Sequence, residues 1–212
     1  MAIDYRITLD DAHEFSYRIE LDREYDAQAA SLAPKWTRLE YQQCSNCPLS
    51  KDHFSHCPAA VDLHRVIEDF HGLPAFKKVV VWVQTPEREY SKQVGLEEGL
   101  RSLLGVIMAT SACPMLGRLK PMAHNHLPFA SSHEFALRAV SLYLTQQYFN
   151  FREGRPADWE LKGLVTQFQQ LQLVNQAFWQ RIHDTCEGDS NLKAFLTFFS
   201  MSSSMTYSLQ TQ

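Results

Sequence analysis

The spacing of apolar residues changes once along this chain, near residue 95, and this change constrains the fold more than any other feature. Before it, apolar and polar residues alternate over residues 3–9 and 15–21, a pattern typical of β-strands with one buried face. After it, apolar residues recur every three to four positions, which is typical of helices that bury one side. Strands and helices that separate in this way favour an α+β fold over an alternating α/β fold.

The length of the chain and its apolar content predict one domain. The 212 residues, of which 45% are hydrophobic, suffice for a sizeable core. We expect a single domain over residues 1–212, with a β-rich half over about 1–94 and an α-rich half over about 95–205. The first half should form a mostly antiparallel sheet with one helix, and the second a bundle of three to four helices.

Local patterns place the individual elements. About five short strands are expected, because a possible third strand over 36–41 follows the first hairpin. Ser131 and Glu134 match a capping box, and Asp158 is a candidate cap for the next helix. The other predictions are a helix over 60–70 stopped by Gly72, strands over 79–83 and 88–94, a helix over 96–111, a loop over 112–130, a helix break at Gly188 and a last helix from Asp189.

Charge and composition argue against two classes of partner. The net charge is −4 with a pI near 6.1, and no block of Lys and Arg occurs, so we expect neither nucleic acid nor a membrane surface as partner. The first residues lack the basic and apolar regions of a secretory signal. We therefore expect a cytoplasmic protein, in which five cysteines indicate metal ligands or reactive thiols before disulfides.

Four of the five cysteines have the types and spacing of a metal site. Cys44 and Cys47 form a C-x-x-C pair, Cys57 follows ten residues later before a predicted helix, and Cys113 follows the helix over 96–111. Zinc takes four thiolate or imidazole ligands in a tetrahedron. We predict one structural zinc held by these four residues, which would join the two halves of the chain, with Cys186 left over.

Other interpretations of the cysteines stay open. Cys47, Cys57 and Cys113 each precede a proline, a step also found in iron–sulfur proteins, so a cluster is the alternative cofactor. The thiols can equally be small buried core residues that bind no metal. His53 or His56 would replace one thiolate in a Cys3His site. A thioredoxin-like dithiol is disfavoured, because a proline and a polar loop follow Cys47.

A proline-bounded segment contains the second unusual pattern, His124-Asn125-His126. Two histidines at this spacing can reach one metal only from an extended segment. The functional interpretations are a zinc ligand, a separate metal site or a general base. The alternative is a packed loop whose imidazoles bond to carbonyl groups. His126 is the stronger candidate, since it enters an apolar stretch.

Several of these motifs together resemble a known family. They are Cys44-Ser-Asn-Cys47-Pro-Leu, His56-Cys57-Pro-Ala, Ser111-Ala-Cys113-Pro and Pro121-Met-Ala-x-x-His126-Leu-Pro-Phe-Ala. The chain resembles a family of uncharacterised bacterial proteins that form a domain of unknown function of about this length. The resemblance implies a bacterial cytosolic setting and a one-domain unit. It implies no activity, substrate or catalytic residue.

Three functions follow as hypotheses. The first is a non-enzymatic, zinc-stabilised module that binds another protein or a small ligand, because four thiolates leave zinc no open position. The second is a metal-assisted enzyme that uses His126, aided by His124 and by Arg118 or Lys120. The third is an iron–sulfur redox sensor. A His126 that lines a concave pocket would favour the enzyme, and one packed against Phe129 would favour the module.

Overall fold

The computed structural model of the chain describes residues 1–10 and 12–185, together with Asn191, Lys193, Ala194 and Ser200. Its sheet has four strands, which are β1 (Ala2–Asp10), β2 (His13–Glu20), β3 (Lys78–Gln84) and β4 (Glu89–Gly95). They lie in the order β2–β1–β3–β4, and every neighbouring pair is antiparallel. Two helices lie between β2 and β3, and the other described helices follow β4, so the predicted α+β fold is confirmed.

Alternation along β1 explains which face of the sheet is buried. Ile3, Tyr5 and Ile7 are at most 1% exposed, whereas the residues between them are more exposed. In the sheet Tyr5 lies opposite Tyr17 of β2 and Val83 of β3, which are buried as well. The sheet therefore presents one apolar face to the helices, as the period of two in the sequence predicts.

Six helices lie within the described part of the chain, and the one over residues 96–110 packs against the sheet. Gly99 permits a close approach there, since a Cβ at this position would lie 2.8 Å from Val81 Cγ2. Buried residues of the sheet and of the helices form one contiguous cluster. The helices are α1 (Ala27–Leu32), α2 (Pro58–Asp69), α3 (Leu96–Thr110), α4 (Lys120–His124), α5 (Ser132–Arg152) and α6 (Lys162–His183).

Of the two predicted helix caps, Ser131 lies at the N-cap position of its helix and Asp158 does not. Ser131 Oγ accepts the Glu134 N–H (3.2 Å), and the Glu134 carboxylate accepts the Ser131 N–H (2.8 Å), which completes the capping box of α5. Asp158 accepts the Gly163 N–H (2.7 Å) in the first turn of α6. The residue at the N-cap position itself is Leu161, in a left-handed conformation with φ 60°, so Asp158 caps the helix from outside it.

Two local predictions were wrong. Residues 36–41 do not form a strand; Lys35–Thr37 is a 3-10 turn, and Arg38 makes only a single bridge with His56, which leaves four strands among the described residues rather than five. The predicted loop over 112–130 contains a second 3-10 turn, Leu116–Leu119, followed by α4. Pro121 lies in the first turn of α4, where a missing N–H costs nothing, so this proline begins a helix instead of preventing one.

Three predictions near the C-terminus lie outside the described residues. They concern Cys186, the helix break at Gly188 and the last helix from Asp189. Among the helices that the structure does describe, none combines the length and apolar character needed to cross a membrane.

Candidate functional site

A single tight turn holds the first two cysteines. The Cys47 N–H donates to the Cys44 carbonyl oxygen (3.0 Å), and both residues are half-buried. The Asn46 side chain, between them, donates to the carbonyl oxygen (3.0 Å) and to the side-chain oxygen (2.9 Å) of Gln170 in α6. The C-x-x-C turn is thereby fixed against a helix more than a hundred residues away in sequence.

Cys57 is buried at the N-cap position of α2, directly before Pro58. Burial raises the pKa of its thiol. The Arg181 guanidinium and the N–H groups of Ala60 and Ala59 act in the opposite direction and lower the pKa, although neither amide closes a capping hydrogen bond to the sulfur. The start of α2 therefore offers partial positive charge to a thiolate at this position.

Cys113 occupies a comparable position beyond the end of α3. Its carbonyl oxygen accepts the Gly117 N–H (2.8 Å), which begins the following turn. Burial raises the pKa of the Cys113 thiol to about 11, while the N–H groups of Leu116 and Met115 lower it. Cys57 and Cys113 therefore share one local arrangement, a buried sulfur at the start of a turn whose amides favour negative charge.

The fold brings the four predicted cysteines into one region. Burial and, after it, negative charge on Cys57, Cys113 and Cys47 raise the pKa of Cys44 to about 12. Cys57 and Cys47 act on Cys113 in the same way. Cys57 and Cys113 belong to one core cluster, and Cys44 and Cys47 pack against it, so the four thiols lie in one region although up to 69 positions separate them in sequence.

The four cysteines lie in one region, but their side chains do not form a metal site in this conformation. All four cysteines are free thiols. Across the residues that the structure describes, no group of three or more His, Cys, Asp or Glu side chains has the arrangement of a metal site. His53 is exposed, and His56 Nδ1 lies 2.9 Å from Ser55 Oγ, so neither histidine completes a Cys3His set in this conformation.

A buried arginine of α6 lies beside the thiols. Arg181 is 2% exposed, and its Nη1 donates to the carbonyl oxygens of Trp36 (2.5 Å) and Arg38 (2.8 Å). Negative charge on Cys57, Cys44 and Cys47 counteracts the effect of burial, which lowers the pKa of Arg181. Among the residues that the structure describes, the buried Nε of Arg181 has no hydrogen-bond partner. These carbonyl bonds also explain why residues 36–38 turn instead of pairing as a strand.

His126 belongs to a second constellation, on the buried face of the sheet. Its Nε2 lies 2.5 Å from Tyr5 Oη, which is also 2.9 Å from Ser102 Oγ. Burial and, after it, the charge of Arg138 lower the pKa of His126 to about 3. Burial raises the pKa of Tyr5. Both side chains are therefore neutral at pH 7, and the imidazole is already engaged by a hydroxyl group.

The two histidines of the 124–126 segment do not converge. His124 ends α4, and its Nε2 lies 3.9 Å from Asp22 Oδ1 on the surface, so the extended segment needed for a shared metal is not formed. Lys120 approaches the same carboxylate (3.5 Å). Arg118 is exposed. The basic residue beside His126 is instead Arg138 of α5.

Two cavities meet at His126, Leu127 and Arg138, which line both. The smaller, about 80 Å³, lies between α3, α4 and α5. The larger, about 610 Å³, lies between α5 and the turn that joins β3 to β4. His126 thus lines a concave pocket, the placement expected of an enzyme. The aromatic ring beside it is that of Tyr5, with ring centroids 5.9 Å apart.

The sequence did not single out four residues of these sites, although two of them, Arg181 and Tyr5, occupy positions that indicate a buried partner. The four are Arg181, Arg138, Tyr5 and Ser102. Arg181 falls on the apolar stripe of α6, three residues after Phe178 and next to Ile182, where a charge needs a buried partner. Tyr5 falls on the buried face of β1, where its hydroxyl needs one too. Ser102 and Arg138 have no comparable signal, because their partners come from other elements.

Comparison with known proteins gives a family and no function. Searches of curated proteins and of solved structures gave no match. One family does match, over residues 3–212, which is nearly the whole chain, and its description is "Domain of unknown function (DUF6901)". The protein belongs to this family of domains of unknown function.

Proposed function

We propose that Cys44, Cys47, Cys57 and Cys113 bind one zinc ion as thiolates, and that this zinc is structural. The observation that carries the proposal is the gathering of four thiols beside a buried arginine whose Nε has no partner among the described residues. Binding would require the thiol side chains to rotate, because the described residues do not already form a metal-site arrangement.

Charge accounting supports thiolates over thiols. Without metal, pKa values of about 12 for Cys44 and about 11 for Cys113 keep these groups protonated at pH 7. Arg181 would then be a buried cation without an anion, an arrangement that usually costs several kcal/mol. Two carbonyl groups and the rings of Tyr41 and Phe178 compensate it only in part. Four thiolates around Zn²⁺ carry two net negative charges, of which Arg181 would offset one.

The backbone around two ligands suits a metal-bound thiolate. The amides that follow Cys57 and Cys113 lower the pKa of their thiols, and such amides stabilise the charge that remains on sulfur after metal binding. A closed set of four thiolates leaves zinc no position for a substrate. The proposed role is therefore a zinc-stabilised module that binds another protein or a small ligand, in a reducing compartment such as the cytoplasm.

Two alternatives are carried as outcomes of the experiment. An iron–sulfur cluster would use the same four thiolates and would give a coloured protein. A metal-assisted enzyme would need His126 close to the metal, and His126 instead bonds to Tyr5. Its low pKa, about 3, also makes it a poor general base at pH 7.

The test is the metal content of protein purified under reducing conditions without an affinity metal. We expect one zinc per chain and no visible absorption. In Cys57→Ser and Cys113→Ser the zinc should fall well below one per chain, because three thiolates bind zinc far more weakly than four. Cys186→Ser is the matched control, since the spacing of the motif leaves this thiol out, and it should keep its zinc.

Each other outcome overturns the proposal. Iron together with sulfide would replace zinc by a cluster. Protein that contains no metal and takes up no zinc in solution would reduce the four cysteines to core residues. Equal zinc in all three variants would place the metal elsewhere. An exchangeable water on the bound zinc would replace the structural role by a catalytic one.

A further inference from the structure

The space around Arg138 has the features of a separate ligand-binding site, because it combines an apolar chamber with one buried cation. The cavity of about 80 Å³ is walled mainly by carbon atoms. A single water needs about 10–15 Å³ of such space, so this cavity exceeds a water site and suits a short alkyl chain or one ring. Its apolar walls come from Val106, Ala109, Leu119, Met122, Phe129 and Phe135.

Arg138 stands where this chamber meets the larger cavity, and its hydrogen bonding is incomplete. Its Nη2 donates to the carbonyl oxygens of Met122 (2.7 Å) and Asn125 (2.8 Å), which holds the guanidinium in place. Its Nε is buried and has no partner in the part of the chain that the structure describes. A buried donor without an acceptor is destabilising, so this guanidinium favours a further acceptor.

The charges that line the cavities favour an anion. Arg101 and Arg138 line the smaller cavity, which no described carboxylate lines. Arg88 joins Arg138 in the larger cavity, where Glu87 is the opposing charge. His126 and Tyr5 beside them are neutral at pH 7. A ligand with one negative charge and an apolar body would match both the charge and the walls.

We propose that these cavities bind a small monocarboxylate whose carboxylate accepts from the guanidinium of Arg138 and whose apolar body fills the chamber between α3, α4 and α5. A carboxylate suits one preformed guanidinium, because its two oxygens match the planar donors of arginine. A phosphate group carries more negative charge and more acceptor oxygens than these mainly apolar walls suit. Neither the proposed zinc nor its ligands take part in this site.

The experiment compares three probes on the wild-type protein by calorimetry. They are hexanoate, 1-hexanol, which has the same chain length without the charge, and inorganic phosphate. We expect hexanoate to bind at least about tenfold more tightly than hexanol, since a hydrogen bond to a charged group contributes about 1.5–3 kcal/mol. Hexanoate should also shift the imidazole resonances of His126, which lines both cavities.

Several results would overturn the proposal without any variant. They are no detectable binding of hexanoate at millimolar concentration, equal binding of hexanoate and hexanol, equal or tighter binding of phosphate, and a bound ligand that leaves His126 unaffected.

A pair of variants tests Arg138 directly. Arg138→Gln should weaken hexanoate binding about tenfold or more, because it removes the charged donor. Arg118→Gln is the matched control, since Arg118 is exposed and lines neither cavity, and it should bind as the wild type does. Equal losses in both variants would contradict a role of Arg138. If Arg138→Gln does not fold, the comparison of probes on the wild type still decides.

Discussion

A hydroxyl group in an apolar layer needs a partner, and Tyr5 finds two across the molecule. Its ring is fully buried between Ile3 and Ile7, and its Oη reaches Ser102 and His126. These partners are 97 and 121 positions away. Sequence alone predicts that the hydroxyl is satisfied, but not by which residues, because the partners are set by the packing of α3 on the sheet.

For the cysteines, in contrast to Tyr5, the sequence did identify which residues come together. Their spacing alone grouped Cys44, Cys47, Cys57 and Cys113, and the fold does bring them together. Arg181 beside them was missed, because a charged residue on an apolar stripe signals a partner without naming it. Whether the group binds a metal stays a prediction, since ligand geometry depends on side-chain rotation and on the ion itself.

His126 should make the protein less stable in acid. Its pKa is about 3 in the fold, and the ordinary value is 6.5. Between these values the unfolded chain binds a proton that the folded chain does not. The free energy of unfolding therefore falls as the pH is lowered from about 6.5 towards 3, by about 1 kcal/mol per pH unit.

Urea unfolding of wild type and His126→Gln at pH 7 and pH 5 measures this effect. Wild type should lose about 2 kcal/mol more than the variant between these pH values. Burial raises the pKa of Asp62 to about 6, so its contribution to stability changes with pH in the opposite direction. That contribution is common to both proteins and cancels in the difference. Identical losses in the two proteins would show that His126 is not buried in its neutral form.

The sequence predicted the helices and strands whose apolar residues recur with a clear period. It did not predict the elements that depend on contacts with residues far away in sequence. The hairpins, α2, α3 and the capped start of α5 follow from alternation, helical spacing and the Ser131–Glu134 pair. Residues 36–41 were also expected to form a strand, yet the carbonyl groups of Trp36 and Arg38 bond to Arg181. The short helix α4 was missed because prolines near it suggested a loop, whereas Pro121 begins it.

The contact of α3 with the sheet depends on the absence of a side chain at Gly99. We expect Gly99→Ala to lower the free energy of unfolding by about 1 kcal/mol. The added Cβ would lie 2.8 Å from Val81 Cγ2, and the cost of this overlap should exceed the gain in helix propensity. Gly117→Ala is the control, since a Cβ there meets nothing within 4 Å. A stabilised Gly99→Ala protein, measured by urea unfolding, would mean that α3 and the sheet separate easily.

For the whole molecule, the proposed zinc would crosslink the C-x-x-C turn, the start of α2 and the end of α3. Removing it with a chelator should lower the Tm of wild type by about 10 °C, since several kcal/mol of folding free energy reside in such a site. Cys113→Ser should melt lower from the outset and respond little to the chelator, because both changes remove the same interaction.

The control for this measurement is again Cys186→Ser, which should respond to the chelator as wild type does. A chelator that leaves the Tm of wild type unchanged, or shifts wild type and Cys113→Ser equally, would contradict a crosslink through this site.

The order of strands in the sheet has a consequence for how quickly the chain folds. β1 lies between β2 and β3, and residues 21–77 separate these two neighbours of β1. The hairpins β1–β2 and β3–β4 join adjacent segments and can form within microseconds. Pairing β1 with β3 must close the long intervening segment, at an entropic cost that no local contact offsets in advance. The rate-limiting step of folding should therefore be the docking of two preformed hairpins.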